Sequence, residues 1–239
     1  MPSRLAVISP HLDDGVLSCG ELIFANPGSV VVSVFAGGPN DVSWLTPCDN
    51  ASGFALGDDV VSARRAEDIA ASQLLGAAAP IQLDFWESQY RDPPFDYRGP
   101  FGTNLVNAIA DTLHHVLADQ SIDKALAPLG MQHEDHRDVR RAVLALAAQS
   151  GEVEVDWWMY DELPYREEFP SERQKATESL ANAGFERGGL PLSHERHVGA
   201  KKRAVLCYRS QVKSLGDCIL KAVQYPETAN RLVRMKASS

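Results

Sequence analysis

Cysteine is scarce in this 239-residue sequence, with only Cys19, Cys48, Cys207 and Cys218, and no two of them form a C-x-x-C pair. That argues against a cysteine-built zinc site or a disulfide framework, and we expect free thiols in a reducing cytoplasm. Long hydrophobic runs are missing too. No stretch approaches the roughly 18 apolar residues of a membrane span. The first apolar run is cut at once by Pro10 and an acidic turn, so no signal peptide is expected. Basic charge is short: 23 Lys and Arg face 32 Asp and Glu, a net charge of −9, which disfavours a nucleic-acid partner. No G-x-G-x-x-G follows the first apolar run and no G-x-S-x-G occurs, so dinucleotide binding and a serine nucleophile are unsupported. Repeats, low-complexity tracts and domain boundaries are also lacking. A single domain spanning residues 1–239 is expected, and its 44% hydrophobic content suffices for a sizeable core.

What is present alternates between two periodicities. Leu5-Ala6-Val7-Ile8, the β-branched run Val30–Phe35, Ile81–Phe85, Lys124–Leu129 and Val153–Tyr160 read as strands. Between them, Val16–Phe24, Val60–Leu75, Thr103–Ala118 and a segment opened by His133 read as helices. In the second of these, Ile69 and Leu74 would face the core, while Arg64, Arg65, Glu67 and Asp68 read as a solvated face. Such alternation predicts a mostly parallel α/β sheet with helices on both faces. Pro170–Ala183 reads as a polar helix, Gly184–Gly199 as irregular and Lys201–Val223 as one final helix. A long loop at about 36–59, with Trp44 and Phe54, is of a length usually reserved for lids or binding loops. The aromatic 86–97 loop, which includes Pro93-Pro94, and the pair Trp157/Trp158 are further candidates for substrate choice.

Two turns carry chemistry. Ser9-Pro10-His11-Leu12-Asp13-Asp14-Gly15 follows the first strand and opens a helix; His133-Glu134-Asp135-His136 follows the fourth and opens another. In a parallel sheet such turns collect on one edge, so residues more than a hundred positions apart can converge. Two imidazoles and one carboxylate make a ligand set typical of catalytic zinc, and ferrous iron suits the same set. A carboxylate beside such a set can act as general base, and a nearby unligated histidine can stabilise an oxyanion and protonate a leaving amine. Neither turn is specific alone; together at strand–helix junctions they point to a metal site.

On these motifs the sequence resembles the PIG-L/LmbE-like zinc-dependent N-acetylglucosaminyl deacetylases over most of its length. Pro10-His11-Leu12-Asp13-Asp14 is similar to the family's His-Pro-Asp-Asp motif, and His133-Glu134-Asp135-His136 to its His-x-Asp-His motif. Arg64-Arg65-Ala66-Glu67 with Leu74-Leu75-Gly76, and Lys201–Leu206 with Ser210-Gln211, resemble two further signatures. The resemblance implies a Rossmann-like fold and zinc held by His11, Asp14 and His136. It also implies Asp13 as general base on a zinc-bound water, and His133 on the tetrahedral intermediate and the amine. Asp135 would orient His133, and Arg64 would hold substrate hydroxyls. Leu12, Gly15, Met131 and Tyr208 depart from the family pattern.

The activity so implied is hydrolysis of an N-acetyl or N-acyl group from a glucosamine-type sugar or glycoconjugate. An amidase acting on a thiol conjugate, a metal- or sugar-binding protein without turnover, and a metal phosphohydrolase are the alternatives. His194-Glu195-Arg196-His197 imitates a zinc-protease helix, but its histidines are three apart rather than four, so it reads as surface or pocket edge. His114 and His115, inside a helix, read as structural.

Overall fold

A computed structural model describes residues 4–92, 94, 96–99, 103–149 and 155–235; Pro93 and the start of the expected fifth strand, Val153 and Glu154, lie outside them. Alternate residues of a strand face opposite sides, and in β1 (Leu5–Ser9) both directions are apolar and buried. Ala6 and Ile8 join a core layer with α4 (Thr103–Asp119), α5 (Glu134–Ala148) and α7 (Pro170–Asn182). Leu5 and Val7 join the opposite layer with α1 (Asp14–Ala25), α3 (Val60–Leu74), α8 (Val198–Val205) and α10 (Asp217–Ala222). Each fully buried Val or Ile contributes about 1.5–3 kcal/mol, so a strand buried on both faces stays central.

Pairing follows. β2 (Val30–Ser33), β3 (Ile81–Gln82), β4 (Lys124–Pro128) and β5 (Asp156–Tyr160) lie parallel with β1. β6 (Phe185–Gly188) and β7 (Ala229–Arg234) complete a seven-stranded sheet of order β3-β2-β1-β4-β5-β7-β6, in which β7 runs antiparallel to both neighbours. The expected mostly parallel α/β sheet with helices on both faces is thus present. The neighbours of β1 are β2 and β4, so the chain changes direction of winding there. The crevice beyond the carboxyl ends of β1 and β4 is where such sheets bind ligands.

Several expectations need correcting. The 36–59 loop contains a short helix, α2 (Pro47–Ala51). Ile69 and Leu74 of α3 are 41% and 48% exposed, whereas Arg64 and Asp68 are buried, so the polar face of that helix points inward. The segment read as irregular after Gly184 contains β6, and the single final helix is three: α8, α9 (Arg209–Leu215) and α10. Gly216, at φ +53, separates the last two. α6 (Tyr165–Glu168) was not foreseen. The cysteines are all free thiols, as expected. No helix among the described residues is long and apolar enough to cross a membrane.

Candidate metal and catalytic site

The two histidine-bearing turns meet. Asp13 sits at the N-cap of α1 and His133 at the N-cap of α5, so both turns present side chains beyond the carboxyl edge of the sheet. In the first turn Ser9 Oγ accepts the Gly15 N–H at 2.7 Å. A Cβ on Gly15 would lie 3.0 Å from the Ser9 Cβ and Oγ, a tight approach that glycine avoids.

His11 Nδ1 lies 3.1 Å from Asp14 Oδ2, His136 Nε2 lies 3.0 Å from the same oxygen, and the two nitrogens are 3.2 Å apart. Ligand atoms around a tetrahedral cation with bonds of roughly 2.0–2.1 Å are separated by about 3.3 Å. This nearly equilateral triangle therefore has the dimensions of one face of such a site, and its members are buried to 12% exposure or less. The nitrogens of His11, His133 and His136 also lie within 4.8 Å of one another. The set containing Asp14 is tighter, and His133 Nδ1 is already engaged by the Asp135 N–H at 3.2 Å.

The electrostatics favour positive charge at this point. Burial would lower the His11 pKa, but Asp135 and Asp14 outweigh it and hold it well above the usual value. His136 is likewise lifted to about 9, burial being overcome by Asp14 and Glu162. Burial resists the charge on Asp14, yet His136 and His11 hold its carboxyl well below the usual range. Asp13 behaves oppositely: burial, and next the charge of Asp14, raise it to about 6. Burial and the neighbouring His11 bring His133 down to about 4, leaving it a neutral donor at neutral pH.

Asp135 does more than expected. Its Oδ2 lies 2.9 Å from His11 Nε2 and accepts the Ser88 N–H at 3.0 Å, while Oδ1 is engaged by Arg91. Its distance to His133 Nδ1 is 3.7 Å, so His11 rather than His133 is the imidazole it fixes by its side chain. Glu162 was missed. Its Oε1 lies 3.3 Å from His136 Nδ1 and accepts the N–H groups of Gly130 and Met131 at 2.7 and 2.8 Å. It thereby ties the second imidazole to the backbone of its own turn, the kind of outer support that fixes a ligand's tautomer and orientation. The acidic pair Asp161-Glu162 at the exit of a parallel strand was the available signal.

Beside the triangle opens a cleft of about 260 Å³ lined by Asp13, Arg64, Glu87 and His133, with Asp49 and Cys48 from α2, and Tyr165 and Glu168 from α6. The Arg64 guanidinium is 2.6 Å from Glu87 and only 10% exposed. Of the aromatic candidates, Trp44 is 53% exposed and Trp157 is buried in the core; neither they nor Phe54 and Trp158 line this cleft. Trp86 and Tyr97 line a separate groove. Two of the positions that depart from the family pattern are buried. Met131 is fully buried in the core, and the Tyr208 hydroxyl donates to buried Asp68 at 2.8 Å. Glu67 accepts both the N–H and the Oγ–H of Ser210, at 3.0 and 2.6 Å, so two separate signature stretches hold each other. The His194 side chain packs 3.8 Å from Glu227, away from the cleft, and is enclosed rather than on the surface. His114 and His115 are exposed on α4 and take no part.

A mostly parallel sheet with a His/Asp/His triangle at its switch point defines an α/β fold whose ligand crevice carries a donor set with the chemistry of a metal site. The profile described as PIG-L: GlcNAc-PI de-N-acetylase matches residues 6–147, and the chain belongs to that family. Among solved structures it is similar to a deacetylase of the teicoplanin biosynthesis pathway (27% identity, 99% of this chain and 100% of that one, TM-score 0.80). It is also similar to the zinc-inhibited form of teicoplanin deacetylase (26%, 99% and 100%, TM-score 0.78). The A40926 pseudoaglycone deacetylase matches too (25%, 100% of both chains, TM-score 0.76). A search among curated proteins returned no match.

Proposed function

We propose that the protein hydrolyses the amide of an N-acetyl or longer N-acyl group on a glucosamine-type sugar, with a divalent cation held by His11, Asp14 and His136. The observation that carries this reading is the triangle of possible ligand atoms 3.0–3.2 Å apart, with the carboxylate of Asp13 lining the same cleft. When bound, the cation would acidify a water and polarise the acyl oxygen. Zinc fits this donor set, as does ferrous iron.

The chain's own groups supply the rest. Asp13, ionised above about pH 6, takes the proton of the attacking water as the new C–O bond forms. His133 accepts the Asp135 N–H on Nδ1, so in its neutral form it carries its own proton on Nε2. That N–H is available to the developing oxyanion. As the C–N bond breaks, the nitrogen must gain a proton, from Asp13 or from His133 once protonated. Acyl carboxylate and free amine leave. Arg64, fixed by Glu87, holds sugar hydroxyls. The deacetylases for teicoplanin and the A40926 pseudoaglycone direct the substrate search toward glycoconjugates.

The test is metal analysis of the purified protein together with amine release from a series of N-acyl glucosaminides. A single divalent cation per chain and release of amine from at least one sugar are expected. A protein that binds no added zinc or ferrous iron, or that liberates no amine when loaded, would refute the reading.

A further inference from the structure

Three buried tyrosines spend their hydroxyl groups on the protein itself. Tyr90 donates to Asp49 at 2.8 Å, Tyr160 to the Ile8 carbonyl at 2.9 Å and Tyr208 to Asp68 at 2.8 Å. Such pairing is what burial of a phenol ordinarily requires. Tyr165 is different. It lines the cleft beside the triangle, half-buried, and its hydroxyl makes no hydrogen bond to any described residue. Its ring stands edge-on to that of His136, with the centroids 5.4 Å apart. Burial, and next the charges of Asp14 and Asp13, push its phenol up, so those carboxylates of the first turn are the ones its hydroxyl senses most. A phenol carries its proton at neutral pH and is therefore a donor here.

Tyr165 is also firmly held. It lies three positions after Glu162, which stands behind His136 and accepts the N–H groups of Gly130 and Met131. The Leu163 N–H donates to Ser18 Oγ at 3.1 Å, and Arg166 donates to the Pro226 carbonyl at 3.0 Å and to Thr228 Oγ1 at 3.1 Å. A donor fixed before substrate arrives costs no reorganisation when charge develops, which is the condition for stabilising an oxyanion.

Resting on the deacylase reading, we propose that Tyr165 is a catalytic residue whose hydroxyl donates a hydrogen bond to the acyl oxygen of the substrate, sharing that oxygen with His133. The acyl group must sit at the triangle to be attacked, and the phenol stands there; sugar hydroxyls belong at Arg64. As the water oxygen bonds to the acyl carbon, the carbonyl electron pair moves onto the acyl oxygen. The Tyr165 hydrogen bond tightens on that charge and its proton stays on the phenol. When the C–N bond breaks, the pair returns to the carbonyl. Tyr165 belongs to α6, outside residues 6–147, so this donor comes from a part of the chain that the family match does not cover.

The test compares metal-loaded wild type with Tyr165→Phe, which keeps the ring against His136 and removes only the hydroxyl. Two ligands are titrated by calorimetry: methyl N-acetylglucosaminide, and the same glycoside with methylphosphonyl in place of acetyl, whose tetrahedral phosphorus carries a negative oxygen. The variant should bind the phosphonyl compound at least about tenfold more weakly, the worth of a hydrogen bond to a charged group, and the N-acetyl glycoside equally well. The kcat for amine release should fall by a similar factor at unchanged KM. Zinc affinity in a competition titration should be unchanged, which shows His136 still in place. Equal affinity of the two proteins for the phosphonyl compound, including no binding by either, overturns the inference. So does a parallel loss for both ligands, or weaker zinc binding, because the tyrosine would then hold the ground state or act through His136. Absence of amine release from any N-acyl glucosaminide, with the phosphonyl difference intact, overturns the deacylase reading and leaves the donor in place.

Discussion

The two ends of the chain divide the labour. Residues 6–147, the part matched by the family profile, supply His11, Asp13, Asp14, Arg64, His133, Asp135 and His136. Residues 155–235 supply none of these; they contribute Glu162 behind His136, the rim at Tyr165 and Glu168, and a buried clamp under α1. In that clamp Lys201 and Glu227 are fully enclosed and 3.0 Å apart. Glu227 accepts the N–H groups of Glu21 and Leu22 at 2.8 and 3.0 Å, just past the point where Cys19 leaves helical geometry (φ −135, ψ 17). The first region builds reactive groups on turns whose place is forced by a parallel sheet. The second adds the parallel strand β5, two antiparallel strands and further helices around them, and with them a carboxylate behind His136 and part of the cleft rim.

Substitutions can break or sharpen that division. The largest effect is expected from Asp13→Asn, which should retain metal by elemental analysis yet lose about 10²–10⁴ in kcat/KM, the usual worth of a general base. Loss of metal instead would move Asp13 into the ligand set. Lys201→Met leaves Glu227 buried without its cation, and chemical denaturation should show about 3–5 kcal/mol of destabilisation. If the division holds, the folded fraction keeps its kcat; a kcat collapse in fully folded protein would put the clamp inside the catalytic apparatus. Glu162→Gln, which removes the carboxylate 3.3 Å from His136 Nδ1, should weaken metal binding about 10–100-fold in a competition titration. An unchanged affinity would show that Glu162 does not support that imidazole.

The pH profile tests the first region by itself. The Asp13 carboxyl is raised to about 6, chiefly by burial and then by Asp14. Catalysis needs it ionised, so kcat/KM should fall roughly tenfold per pH unit below that value. A bound dication favours the ionised form, and the metal-loaded enzyme should show this limb at or below pH 6. An acid limb lying well above pH 6 in the metal-loaded enzyme would assign it to a group other than Asp13. The smallest effect concerns the second turn, where exposed Gln132 sits at φ +56. Gln132→Gly should relieve that left-handed conformation, stabilising by about 0.5–1 kcal/mol in thermal unfolding. Destabilisation would mean that the Gln132 side chain holds the turn.

That the two histidine-bearing turns meet was legible because a strand-to-helix junction in a parallel sheet has a fixed address. The buried role of Arg64 and Asp68 was not, since the pattern of α3 gives no sign that other carboxylates and Tyr208 wait on the facing side. Nor were β6 and β7, which are short, polar on one side and half-buried, and so carry no strong alternation. Trp157 and Trp158 misled for a related reason: an aromatic residue is equally suited to core and to pocket, and only packing chooses.

Local residue type and periodicity by themselves determined the parallel sheet, the two turns and the chemistry those turns could carry, because each depends on neighbours a few positions away. Tertiary structure alone decided that Asp135 braces His11, that Glu162 stands behind His136, and that Lys201 neutralises Glu227. Those pairings join groups from 26 to 124 positions apart, as the His136–Glu162 and His11–Asp135 contacts show. Contacts of that kind are selected by the packing of whole layers, and no spacing along the chain encodes them.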